Sequence, residues 1–160
     1  EHIPGDALRD LLARIRDLGN ATTRVIVSVP NGASYQSRLF RQNFAYFDSH
    51  SHLQQFSPTS LDRIMAEFGF SPAGSRLSYV YQLFGQGQSL LNVIFPIHNY
   101  LYYRLKRGAH YDLSASRRRL FDVFNIGMGI MLAPIAVILS TLDIMQPARR
   151  GVITRCYART

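Results

Sequence analysis

The chain has 160 residues, 47% of them hydrophobic, enough to bury one core, and a formal net charge of +8. A single cysteine, Cys156, excludes an internal disulfide framework and suits a reducing, cytoplasmic compartment, where it reads as a small buried hydrophobe. Residues 1–80 carry eight Arg against seven Asp or Glu, but residues 81–160 carry ten Lys or Arg against three Asp, so any anionic partner belongs to the second half.

Taken in order, "PGDALRDLLARIRDLG" sets Leu8, Leu11, Leu12, Ile15 and Leu18 at helical spacing, with Asp6 near the positive end and Gly19 as the stop. "TTRVIVSVPNG" follows as a β-branched run that reads as a buried strand, closed by Pro30, Asn31 and Gly32. Residues 32–56 lack periodicity but are rich in aromatics, among them Tyr35, Phe40, Phe44, Tyr46, Phe47 and Phe56. Ser57-Pro58-Thr59-Ser60 starts a second helix with Leu61, Ile64, Met65 and Phe68 inward, ended by Gly69. "RLSYVYQLF" reads as a second strand, with Leu77, Tyr79 and Tyr81 on one face, and "GVITRCYART" as a third.

Between these last two strands lie two runs without Lys, Arg, Asp or Glu, Leu83 to Tyr103 and Val123 to Leu142, interrupted by Pro96 and Pro134. A basic connector holding Arg104, Lys106, Arg107 and Arg117 to Arg119 joins them. Each run has about the ~20 residues that a bilayer crossing needs. The first, with Gln86, Gln88, Asn92, His98 and Asn99, is too polar for a comfortable span. If the flanking strands share a sheet, the chain must return to the side it left, which excludes a lone crossing. A hairpin of two crossings, or none, remains; the favoured arrangement is two helices lying on the protein or partly dipped into one bilayer face, with Tyr100, Tyr102 and Tyr103 at headgroup level. A purely intramolecular helical insert is the plain alternative.

Three blocks in series carry a resemblance: "EHIPGDALRDLLARIRDLG", "RVIVSVPNG" and "HLQQFSPTSLDRIMAEFGF". Together they resemble the second half of a class I S-adenosylmethionine-dependent methyltransferase, of the branch that includes ubiquinone-type and other small-molecule enzymes. There an "EH" and a Pro-containing turn follow the fourth strand, the fifth strand ends in "PN", and an "H-L-x-x-F-S/T-P" segment opens a helix ending in "GF". The resemblance implies an α/β fold: a partial Rossmann-like sheet with an apolar helical insert before a last, antiparallel strand. Residues 1–82 would be the C-terminal part of the α/β domain, 83–148 the insert and 149–160 the final strand. The glycine-rich cofactor loop and the acidic residue of the second strand have no counterpart; "GMG" at 127–129 lies in an apolar helical run. The expectation is that they lie upstream of Glu1, and that residues 1–160 alone neither bind S-adenosylmethionine well nor turn over.

The resemblance also implies a site. His52 matches the family's histidine and would face the acceptor as general base or hydrogen-bonding positioner, unless it merely packs the loop. His2 is the second catalytic candidate; Glu1 would stand beside the transferred methyl as the cofactor-side residue, the alternative being that the pair only shapes the turn. Phe44 and Tyr46 occupy positions where relatives often carry Trp, and would line an apolar substrate pocket or belong to the core. His50 has no counterpart, and Asp48 would at most orient His52; both are grouped with the substrate-contacting residues. Asp48, His50 and His52 on one loop lack a fourth metal ligand. Some relatives hold a divalent ion around the "EH" turn, of which Glu1 and His2 match only the end, so no metal is assigned.

The leading expectation is therefore methyl transfer to a small acceptor, which the apolar insert and basic connector suggest is lipid-linked. The competing one is a non-enzymatic membrane-surface module using residues 83–145. That reading leaves the three ordered blocks without a purpose. Nucleic acid is not expected, because no reader motif accompanies the arginine clusters.

Overall fold

The structure is a computed structural model and describes residues 1–47, 51–106 and 114–160. It is an α/β fold in which, among the described residues, six α-helices accompany a small antiparallel sheet of three strands. Helix α1 (Gly5–Leu18) leads to β1 (Arg24–Pro30), then α2 (Tyr35–Phe40) and a 3₁₀ turn (Arg41–Asn43). Next come α3 (Pro58–Glu67) and β2 (Phe70–Ser75), then α4 (Tyr79–Ile94), α5 (Tyr100–Leu105) and α6 (Ala115–Ile144). A 3₁₀ turn (Pro147–Arg149) delivers the chain to β3 (Val152–Arg159).

The last strand lies between the other two, antiparallel to both, with Arg24 opposite Ala158 and Phe70 opposite Arg159. One face of this sheet is covered. Leu12 of α1 and Leu61 and Met65 of α3 meet Val29, Phe70, Ile153 and Tyr157, and Phe56 completes the cluster. Polar ties fix the helices to the sheet: Asp62 of α3 accepts from the Tyr157 hydroxyl at 2.8 Å and from the Arg155 guanidinium. Arg9 of α1 donates to Glu67 of α3 at 2.7 Å. The alternation along β1 leaves Arg24, Ile26 and Ser28 outward, and Ile26 is 59% exposed, so β1 is a half-buried edge strand rather than a fully buried one.

Local chemistry explains the helix ends. Ser57 and Ser60 form a reciprocal capping box at α3 with Pro58 in the first turn. Beyond α3, Gly69 takes a φ of +76°, which reverses the chain directly into β2.

Two elements depart from the sequence reading. The expected second strand, 76–84, is the start of α4: Ser78 caps it by accepting from the Tyr81 amide, and Gln82, Gln86 and Ser89 are buried at helical spacing. Alternating Tyr and aliphatic residues in "SYVYQLF" imitate a strand period over one helical turn. The true strand precedes it, in "FSPAGS", where a bulge between Pro72 and Gly74 accommodates a proline on the sheet edge. In the insert, Pro96 does end a helix, but Pro134 lies within the continuous 30-residue α6.

Helix α6 packs along α4, and α4 in turn rests on α2 and the 3₁₀ turn beside it. Buried Asp143 of α6 joins these layers, accepting from Gln36 of α2 and Gln86 of α4, each at 2.7 Å. Gly85 and Gly151 leave the room that Gln36 fills, since a Cβ at either would come within 2.8 Å of its carboxamide.

Burial pushes the Asp143 carboxyl above its usual range, partly offset by the two glutamine donors. The folded state therefore holds this proton more tightly than the unfolded chain. The corresponding stability is present at low pH and is lost as pH rises from about 3.9, the ordinary aspartate value, through the raised one. Relative to Asp143→Asn, the wild-type chain should lose stability between acid and neutral pH, as measured by urea midpoints at the two ends of that range.

Candidate functional site

A ladder of hydrogen bonds draws the N-terminal segment and the 51–54 segment together. The Glu1 carbonyl accepts from the amides of Leu53 at 2.8 Å and Gln54 at 3.2 Å, and the Gln54 carboxamide donates to the Ile3 carbonyl at 2.5 Å. This register places Glu1, His2 and His52 together. The two imidazole rings meet edge to face at 4.6 Å between centroids. Glu1 Oε1 lies 3.5 Å from His2 Nε2 and 3.7 Å from His52 Nε2.

The geometry also fixes a tautomer. His2 Nδ1 lies 2.9 Å from the Ser51 carbonyl oxygen, which can only accept. Nδ1 therefore carries the proton, and the Nε2 of neutral His2 presents a lone pair toward Glu1. Glu1 Oε2 is buried with no hydrogen-bond partner among the described residues. One ligand atom from each of Glu1, His2 and His52 falls within 4.8 Å of the others. Two imidazoles and a carboxylate suit a divalent transition ion, so the residues present fit a metal that the sequence reading left unassigned.

This trio sits at one end of a cavity of about 450 Å³. Ser28, Val29 and Pro30 at the end of β1 form part of the wall. Opposite them stand Tyr46 and the insert residues Tyr81, Tyr102, Tyr103 and Lys106. Lys106 is the only lysine in the chain, and its ammonium lies over the Tyr102 ring at 4.5 Å. A second cavity of about 320 Å³ shares Pro30, Tyr46 and His52 with the first and is also lined by Phe44 and Arg41. Arg41 holds a φ of +51°, an uncommon backbone state for a non-glycine residue.

The aromatic wall is clamped by polar side chains of α4 and by Asn99 at the start of α5. Ser89 accepts from the Ala45 amide at 2.9 Å; Asn99 donates to the Ala45 carbonyl at 2.7 Å; Asn92 donates to the Asn43 carbonyl at 3.0 Å. Gln88 accepts from the Tyr102 amide at 3.2 Å, attaching α5 to the same face. The Tyr46 hydroxyl donates to the Tyr81 carbonyl at 2.7 Å, and burial raises its pKa far above the ordinary tyrosine value, so it stays neutral. The Tyr46 ring lies over Gly85, where a Cβ would stand 2.6 Å from it.

Of the residues expected at the site, the structure unites Glu1, His2, His52 and Tyr46 around one cavity and sets Phe44 in the neighbouring one, edge to face with Tyr46 at 5.6 Å. Asp48 and His50 lie outside the described residues. The sequence reading assigned no site role to Tyr81, Tyr102, Asn99, Lys106 or Arg41. For Lys106 a signal existed, one lysine among 18 basic residues. Comparison with family models, curated proteins and solved structures returned no match.

Titration of the purified chain with Zn²⁺ or Mn²⁺ is expected to give one saturable site. Replacing His2 or His52 by Ala should weaken it at least about tenfold, measured calorimetrically.

Proposed function

We propose that the Glu1–His2–His52 cavity is the acceptor end of a methyl-transfer site, taking its methyl group from S-adenosylmethionine. One observation carries this reading: the three separate blocks that resemble the methyltransferases, "EH", "VSVPN" and "HLQQF", converge on a single cavity through Glu1, His2, Val29, Pro30 and His52. The antiparallel course of β3, the last strand, agrees with the partial Rossmann-like sheet that the same resemblance implies.

The described residues do not form the donor's cradle. Beyond β1 the space over Gly32 is filled by Gln55 and Phe56, and Gly127 and Gly129 lie within α6. S-adenosylmethionine supplies an electrophilic methyl group. The residues here orient the acceptor and manage its proton. His52, 15% exposed and facing the cavity, takes the proton of an acceptor hydroxyl, amine or enol at Nε2 as that atom gains its methyl group. Glu1, at 3.7 Å from that nitrogen, stabilises the imidazolium so formed. His2, oriented by the bond from its Nδ1 to the Ser51 carbonyl, flanks the same carboxylate at 3.5 Å. Four tyrosine rings line the cavity and offer faces against which an apolar or aromatic acceptor can pack.

The test uses the full-length gene product, radiolabelled S-adenosylmethionine and a panel of phenolic, quinol and sugar acceptors. His52→Ala should lower transfer by roughly 10²–10⁴-fold while S-adenosylhomocysteine binding stays unchanged. A full-length product that binds no S-adenosylhomocysteine would end this reading.

A further inference from the structure

Helix α6 is turned inside out relative to an ordinary surface helix. Its buried positions are Asn125, Ala136, Ser140 and Asp143, three of them polar, along one line against α4. Its large apolar side chains point away from the protein: Val123, Phe124, Ile130, Met131, Ile138 and Leu142 are all more than half exposed, Ile130 at 71%. In water this arrangement forgoes the burial that normally holds a helix down. It is the arrangement expected where the outer solvent is hydrocarbon, with small and polar residues at the helix contact and aliphatic ones outside. The contact itself fits that description, with Gly129 against Leu91 and Gly87 against Ala136.

Charge is distributed to match. From Leu120 to Leu142 the outward face carries no charged residue. The helix's two acids are turned inward: Asp122 pairs with Arg104 at 2.9 Å and accepts from Tyr100, while Asp143 is 2% exposed. Arginines stand at both ends of the apolar face, exposed Arg117 to Arg119 before it and Arg149 and Arg150 after it. Alone among the described helices, α6 is long and apolar enough to cross a membrane, but one side of it packs on α4 and, near its start, on α5, with Asn125, Ala136, Ser140 and Asp143 buried there. That side is committed to the protein, and the apolar side chains offered to lipid lie on the outer face.

We propose that the outer face of α6 docks on the surface of an anionic phospholipid bilayer. The helix lies in the membrane plane, its aliphatic side chains among the acyl chains and its terminal arginines among the headgroups. This surface uses none of Glu1, His2 or His52, so its failure and the failure of the methyl-transfer reading are separate events.

The experiment is flotation of the whole chain with vesicles of phosphatidylcholine alone or mixed with phosphatidylglycerol, at low and high salt. The chain should float with the mixed vesicles at low salt and partly detach at high salt. Arg117→Gln with Arg119→Gln should weaken binding about 25-fold, at roughly fivefold per arginine. Ile130→Glu with Ile138→Glu should abolish flotation while leaving the circular dichroism and the thermal midpoint unchanged, because both residues are exposed. Three results would overturn the proposal. One is no flotation at low salt. Another is a dimer without vesicles that the glutamate variant dissolves, which makes a second copy the occupant. The third is resistance to alkaline carbonate with protease protection on both vesicle faces, which makes the segment a true span.

Discussion

A polar side chain removed from water must find a partner inside the protein, and α4 carries five of them: Gln82, Gln86, Gln88, Ser89 and Asn92. The rest of the structure is arranged around satisfying this requirement. Ser89 and Asn92 take up backbone groups of the 43–45 loop, Gln88 holds the start of α5, Gln86 meets Asp143, and Gln82 accepts from the Gly151 amide at 2.9 Å. One helix thus connects the aromatic wall, the outer helix and the entry to the central strand. Each unmade bond would leave a group desolvated at a cost of about 1–3 kcal/mol, so the arrangement specifies one packing among many that apolar contacts alone would allow.

Much of the α/β part was legible because its signals are local. The 3.6-residue period of α1, the Ser-Pro-x-Ser start of α3 and the β-branched runs of β1 and β3 each report on neighbouring residues, and each element stands where its pattern places it. What was hidden depends on tertiary partners. "SYVYQLF" has a two-residue alternation over too short a window to separate strand from helix, and only the buried contacts of Gln82 and Gln86 decide it. "FSPAGS" has the composition of a turn and becomes a strand because β3 offers it an edge. The polarity of Gln86, Gln88, Asn92 and Asn99 was read as an argument against a membrane span, correctly as chemistry, but the loop carbonyls they serve cannot be seen in sequence.

The candidate site divides along the same line. His52, His2 and Glu1 came from the resemblance, and the Glu1-to-Gln54 ladder supplies the physical reason they meet. Tyr81, Tyr102 and Lys106 approach the cavity from helices whose function in the fold is to cover it, and no spacing rule links them to residue 52. The insert therefore walls the cavity as well as forming the outer layer of the fold.

The position of β3 has a consequence for how the chain folds. Among the described residues, strands β1 and β2 are not paired with each other; each pairs with the strand at residues 152–159. On the ribosome, neither can make these pairings until residues 152–159 have emerged, because loop closure across such separations must precede the pairing that rewards it. The helices at residues 79–144 are made before the strand that holds β1 and β2 together. They can therefore meet another surface before this sheet anchors them.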